Sequence, residues 1–215
     1  MYVPKQHEES DVSVLYALIK AHPLATWVTH SGEQLLVNHI PMLLDKARGE
    51  FGTLVGHVAR ANPVWHSFSA TVPSIAVFQG PESYITPSWY PSKHAHGKAV
   101  PTWNYAVVHA HGVPRAIEDR HWLLEHLNQL TDLHEADQAL PWKVADAPKE
   151  FTDRMVGAIV GIEVPVTRLI GKWKVSQNRP EPDKLGVVAG LLGRADARSR
   201  DMATLVQEHL ARTGG

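Results

Sequence analysis

The chain has 215 residues, 44% hydrophobic and 20% charged, and its 21 basic and 22 acidic side chains leave a formal charge of −1. That is ordinary globular composition, in the size range of one domain with a core that needs no staples. The absence of cysteine excludes disulfide frameworks, Cys-ligated zinc, iron–sulfur clusters and thiol nucleophiles. A charge near zero argues against broad non-specific nucleic-acid binding. No run reaches the ~18 apolar residues of a membrane span. The polar opening, with Glu8, Glu9 and Asp11, does not read as a signal peptide, so a cytoplasmic protein is expected. What the composition leaves to explain is 14 His and 7 Trp, many of them between positions 57 and 111.

Ser10 or Asp11 caps a helix with Val14, Leu15, Leu18 and Ile19 at helical spacing, and Pro23 stops it at His22. The period then changes. Leu24 to Thr29, a Ser31-Gly32 turn and Leu35 to Leu44 predict a β-hairpin, and Thr53 to Ala59 a further strand. Asn62-Pro63 opens a short helix, with proline at the first helical position. Two strands follow, Ser74 to Gln79 and Ser83 to Thr86, split by Gly80-Pro81. Pro87 to Pro101 is expected to be a long functional loop. Trp103 to Ala110 returns to strand. Asp119 caps a helix carrying Trp122, Leu123, Leu127 and Leu130, and a second helix runs from about Pro148 to Val160. Gly161 to Val175 is a final strand region, Gly186 to Leu192 a short helix, and Ala195 to Arg212 an amphipathic helix.

Short strands joined mostly by hairpins, with helices between and after them, predict a mainly β protein with α: a small six-stranded antiparallel barrel decorated with helices. No glycine-rich phosphate turn, G-x-S-x-G elbow or P-loop is present. His134-Glu135 lacks the second histidine of a zinc-protease helix. His109 and His111 share one strand face, and His94 and His96 the same spacing in the loop. For both pairs structural or surface roles outweigh a metal, so no metal site is expected.

Three segments carry candidate binding chemistry. In GHVARANPVW (Gly56–Trp65), His57 and Arg60 end a strand beside the helix start at Asn62. Cations next to free helical N–H groups suit an anion, and a capped helix with a solvated Arg fits equally. In YITPSWYPSKHAHGKAVPTWNY (Tyr84–Tyr105), flat aromatic side chains accompany short polar groups, Lys93 and Lys98. That mixture suits a planar heteroaromatic ligand with an acidic tail, against the alternative of an aromatic core under a proline-stiffened loop. GKWKVSQNR (Gly171–Arg179) puts three cations in nine residues, either a solvated sheet edge or the rest of an anion pocket.

With these strings in hand, and with YVPKQHEE at Tyr2 and VNHIP at Val37–Pro41, the sequence resembles the PaiB-like family. Its members are described as FMN-binding negative transcriptional regulators of the flavin split-barrel superfamily. The likeness runs over about residues 1 to 192, taken as the FMN-binding domain, with 193–215 as an amphipathic helix for dimer or surface packing. The resemblance implies a split β-barrel, a homodimer and FMN in the groove between subunits. It places His57, Arg60 and Asn62 near the flavin phosphate, Lys93, Thr102, Trp103 and Asn104 among further contacts, and Lys174, Ser176, Gln177 and Arg179 along the same groove. No catalytic residue is implied, since redox chemistry would belong to the flavin. A flavin-dependent sensor or repressor, a flavin-dependent oxidoreductase and a heme-binding barrel stay open as functions. DNA contact is suggested by the family description alone: the arginines of the last helix are interspersed with acidic residues.

Overall fold

The computed structural model describes residues 1–32 and 34–213; the last two positions of the C-terminal segment expected at 193–215 lie outside the described residues. By contacts the chain clusters into two units. Unit 1 holds Met1–Leu18, Gln79–Val108 and the chain from Ile170 onward, and unit 2 holds Ile19–Phe78 and His109–Leu169.

The strands are β1 (Glu8–Glu9), β2 (Leu24–Ser31), β3 (Gln34–Pro41), β4 (Leu43–Asp45), β5 (Thr53–Ala59), β6 (Ser74–Ile85), β7 (Thr102–Gly112), β8 (Arg115–Ile117), β9 (Ile159–Pro165) and β10 (Arg168–Lys174). The helices are α1 (Val12–Ala21), α2 (Val64–Ser67), α3 (Pro91–His96), α4 (Arg120–Glu135), α5 (Lys149–Gly157), α6 (Glu181–Leu192) and α7 (Ala197–Thr213). In unit 1 the hydrogen-bonded order is β1-β10-β7-β6. In unit 2 it is β7-β6-β2-β3, with a four-stranded sheet β4-β5-β9-β8.

Unit 2 is organised by β5 and β9, which pair antiparallel from Thr53↔Pro165 to Ala59↔Ile159. Their residues are buried almost without alternation because both faces are covered. Helix α4 lies on β9 at Gly161, where a Cβ would stand 2.3 Å from the Trp122 ring. Asp119 accepts the Trp122 N–H at 2.8 Å, the cap anticipated for this helix. In unit 1, α6 and α7 pack on each other and bury Val187, Leu191, Met202 and Val206.

Several expected boundaries are corrected. Ser74 to Ile85 is one continuous strand, not two. Gly80 belongs inside it because the β7 backbone passes there, 3.2 Å from where a Cβ would sit, and Leu18 fills the other side. Pro81 is tolerated because β2 pairs only with Ile75–Val77. The long loop 87–101 folds instead into a 3-10 turn, Pro87–Trp89, and α3. Its signals were local: Thr86 accepts the Ser88 N–H, Pro91 occupies the first helical turn, and Gly97 closes the helix at φ +70°. Gly161–Val175 is two strands, β9 and β10, in different sheets. The helix after Asn62 is a single turn, Val64–Ser67, with few aligned peptide dipoles to add to either of the two readings of that segment.

Candidate anion cavity and comparison with known proteins

Five of the expected site residues meet in unit 1. Thr102 and Asn104 open β7, and Lys174 ends β10, followed by Ser176 and Arg179. Together with Tyr90, Val100, Pro101 and Asn178 they line a cavity of about 200 Å³. The Lys174 ammonium donates to the Thr102 hydroxyl. Ser176 sits in the left-handed region at φ 66°, a conformation an L-residue holds only when its surroundings fix it. What fixes it is partly Asn104, whose Nδ2 donates to the Ser176 hydroxyl at 2.9 Å with both residues buried.

Two polar atoms here are enclosed and under-satisfied: Asn104 Oδ1 has no partner, and the Tyr90 hydroxyl has only the neighbouring Arg179 guanidinium. Neither is an idle omission, because an unsatisfied buried polar group costs about 1–3 kcal/mol. Burial pushes the Tyr90 hydroxyl above the usual phenol range, with the Arg179 charge opposing, so it remains a proton donor at neutral pH. The Arg179 guanidinium lies over the Tyr90 ring, 4.5 Å from its centre.

The other expected residues are placed differently. Gln177 is taken up internally: its Oε1 accepts the Val175 N–H at 2.8 Å and lies 3.0 Å from His7 Nδ1, and its amide donates to the Trp173 carbonyl. Lys93 lies in α3, and Trp103 is half exposed with its ring edge-on to Tyr84. Neither is among the residues lining this cavity. In unit 2, all three Arg60 nitrogens have internal acceptors: Glu118 at 2.6 Å and the carbonyls of Gly157 and Ile159 at 2.9 and 3.2 Å. The Asn62 amide donates to Asn38 at 2.8 Å while its Oδ1 accepts the Val64 N–H at 3.0 Å, and His57 is hydrogen-bonded to His126 at 3.1 Å. The aromatic cluster is partly structural: Trp89 packs on Gly190 of α6 and under Arg194, and Tyr90 is fully buried. His94 and His96 lie on α3, and among the described residues no three His, Cys, Asp or Glu groups converge as a metal site.

Tyr90 and Asn178 lie in the candidate segments but were not among the contacts assigned from the sequence. Asn178 stood between two candidates, and the Ser176–Arg179 turn that carries it could have flagged it. Nothing in Trp89-Tyr90 distinguished the ring that faces the cavity from the one that packs on α6.

The antiparallel sheets and the helices that decorate them form a split-barrel fold. The chain is similar to the flavocytochrome Anf3 from Azotobacter vinelandii, with a TM-score of 0.56 at 12% identity over 80% of this chain and 72% of that one. It is equally similar to the FAD and heme binding protein from Mycobacterium smegmatis, at 0.56 and 14% identity over 78% and 73%. Such low identities speak for the fold alone.

The chain belongs to the family described as "Putative FMN-binding domain", which matches residues 1–168. It is 30% identical over 212 residues to "Protease synthase and sporulation protein PAI 2" of Bacillus subtilis, covering 98% of each chain. It is also 34% identical over 154 residues to an uncharacterized protein of Saccharomyces cerevisiae, covering 63% of this chain and 90% of that one. The family resemblance carried by the motifs therefore holds, and FMN is the cofactor of this chain.

The unit 1 cavity fits one end of that cofactor. A phosphate and a polyol need cations, hydroxyl donors and a free carbonyl oxygen, and Lys174, Arg179, Tyr90, Thr102, Ser176 and Asn104 Oδ1 supply them. The cavity is smaller than the ~300–1,000 Å³ of a whole-ligand pocket, so the ring system would extend outside it.

Proposed function

We propose that the protein is an FMN-dependent sensor acting as a negative regulator, with the flavin phosphate held by Lys174 and Arg179. The observation that carries this reading is the pairing of those two cations with the enclosed Tyr90 hydroxyl and the partnerless Asn104 Oδ1. Lys174 and Arg179 neutralise the phosphate, Tyr90 and Thr102 donate to its oxygens, and Asn104 Oδ1 accepts from a ribityl hydroxyl. Bound FMN supplies one- or two-electron redox chemistry. The protein's part is to bind, orient and bury its acidic end; the cavity walls hold no Asp, Glu or His for general acid–base work. The B. subtilis relative, named for protease synthase and sporulation, supports a regulatory over a single metabolic role.

Regulation on this reading does not use the last helix as a DNA-binding face. Arg194 donates to the Ser83 hydroxyl at 3.0 Å and lies over Trp89, Arg198 lies 4.0 Å from Glu82, and Arg212 lies 3.1 Å from Glu9. Arg194 is held within unit 1, and the exposed Arg198 and Arg212 each stand beside a carboxylate that offsets their charge. A homodimer is supported by the outward face of the β2–β3 hairpin, where Leu24, Leu35 and Val37 are 57–69% exposed. Among the described residues no helix is long and apolar enough to cross a bilayer.

Titration of the apoprotein with FMN, followed by flavin fluorescence and mass in solution, tests the reading. One FMN per chain in a dimer supports it. Steady turnover of NADH or NADPH with an electron acceptor would transfer the protein to the oxidoreductases.

A further inference from the structure

We propose that unit 2 carries a second small-molecule site, a cavity under α4 that takes a small organic cation bearing N–H donors. The cavity measures about 180 Å³ and is walled by Asp45, Arg48, Trp122, Glu125, His126 and Gln129. All of these belong to unit 2, and none is among the residues given to FMN above.

The polar atom that asks for an occupant is His126 Nδ1. The residue is 97% buried, its Nε2 is taken up by His57 Nδ1 at 3.1 Å, and its Nδ1 is enclosed with no hydrogen-bond partner. The Trp122 ring stacks on the imidazole at 5.4 Å. Burial and the neighbouring His57 lower the His126 pKa to about 4, so the ring is neutral at physiological pH. When His126 Nε2–H donates to His57, Nδ1 is left as an enclosed acceptor without a partner on a side chain that walls the cavity, which calls for a donor.

The charge of the walls selects a cationic donor. Arg48 gives its guanidinium to the buried Glu163 at 2.6 Å, and Glu163 also accepts the Trp122 indole N–H at 2.9 Å. Asp45 lies farther from Arg48, at 3.7 Å, and Glu125 has only the exposed His121 ring as an ion-pair partner, at 3.2 Å. Carboxylates therefore outnumber the one arginine. An alkylammonium would donate to His126 Nδ1, balance Asp45 and Glu125, and lie against the Trp122 ring. The volume limits the ligand to a few heavy atoms.

The test is calorimetric titration of the full-length, FMN-loaded protein with n-butylammonium chloride, with sodium butyrate and n-butanol as controls. It is paired with ¹⁵N NMR of the His126 ring. A saturable 1:1 heat with butylammonium alone is expected, together with a shift of His126 Nδ1 and none of FMN release. Glu125→Gln, on an exposed side chain that leaves the fold intact, should weaken binding about tenfold, and His126→Phe should abolish it. No saturable heat, equal binding of butyrate or butanol, or unchanged affinity in Glu125→Gln would overturn the proposal and leave Nδ1 to a trapped water. FMN content is read separately from the flavin absorbance, so failure here is distinguishable from failure of the flavin reading.

Discussion

Replacing Lys174 by Met keeps most of the side-chain volume and removes the ammonium. In the cavity that ammonium stands beside Thr102 and shares the walls with Arg179, in a half-buried setting. At an effective dielectric of about 20, unit charges 4 Å apart interact by about 4 kcal/mol. Partial exposure screens that figure, and a hydrogen bond to a charged group contributes about 1.5–3 kcal/mol net. Lys174→Met should therefore raise the FMN dissociation constant about 10- to 100-fold. Riboflavin lacks the phosphate, so its affinity should change by no more than about twofold, and the preference of the protein for FMN over riboflavin should collapse. Quenching of flavin fluorescence in parallel titrations of both ligands measures this, with a thermal melt to confirm folding. Equal losses for FMN and riboflavin, or an unchanged FMN affinity, would show that the phosphate is not held at Lys174.

Ser176→Gly and Ser176→Ala both lose the acceptor for Asn104, but only Ala keeps a side chain at φ 66°. Ala should be less stable than Gly by about 1 kcal/mol in urea unfolding; the reverse order would mean the backbone there is unstrained. Gly161→Ala would press a Cβ into the Trp122 ring and should cost about 1–3 kcal/mol, visible as a lower urea midpoint, whereas an unchanged midpoint would contradict the packing of α4 on β9. His126 titrates near 4 in the folded chain against an ordinary 6.5, so the unfolded chain takes up the proton first as pH falls. The stability it contributes is complete above pH 6.5 and lost progressively toward pH 4, about 3 kcal/mol in all. Unfolding free energies at pH 7.5, 6 and 5 should fall with that sign in the native chain and fall less steeply in His126→Phe, the remaining slope coming from the other histidines whose pKa burial lowers, His57 and His109 among them. Val37→Glu should shift the mass in solution from dimer to monomer without loss of secondary structure.

Much of the fold was legible because it rests on local signals. The Asp119 cap, the alternation in Leu24–Thr29 and the branched run Thr53–Ala59 each name their element without help from the rest of the chain. What stayed hidden depended on distant partners. Gly80-Pro81 reads as a turn until the close passage of Ala106 shows why a glycine is needed inside a strand. Residues 91–96 carry local helix signals in Pro91 and Gly97 that the run of prolines obscured, and a distant contact anchors the helix: Asp183 of α6 accepts both the Ser92 N–H and its hydroxyl, at 3.0 and 2.6 Å. The strands Glu8–Glu9 and Arg115–Ile117 are too short to carry a period.

The site was legible in part for the same reason. Thr102, Asn104, Lys174, Ser176 and Arg179 were picked from the residue types of their segments together with the family resemblance, and pairing of neighbouring strands brings them to one cavity. Arg60 was picked on the same grounds, yet Glu118 and two carbonyls satisfy it, partners more than 50 positions away that no local pattern reveals. Lys174 and Arg179 lie beyond the stretch that matches the family model, residues 1–168, and it was the string GKWKVSQNR that brought them in.

The most direct test of the account is the ³¹P resonance of bound FMN followed as a function of pH. A free phosphate monoester takes up its second proton near pH 6. Held between Lys174 and Arg179, the phosphate should remain a dianion, its resonance flat from pH 7.5 to well below 6, and regain a titration step in Arg179→Gln. A resonance in the native protein that follows the titration curve of free FMN would contradict the account.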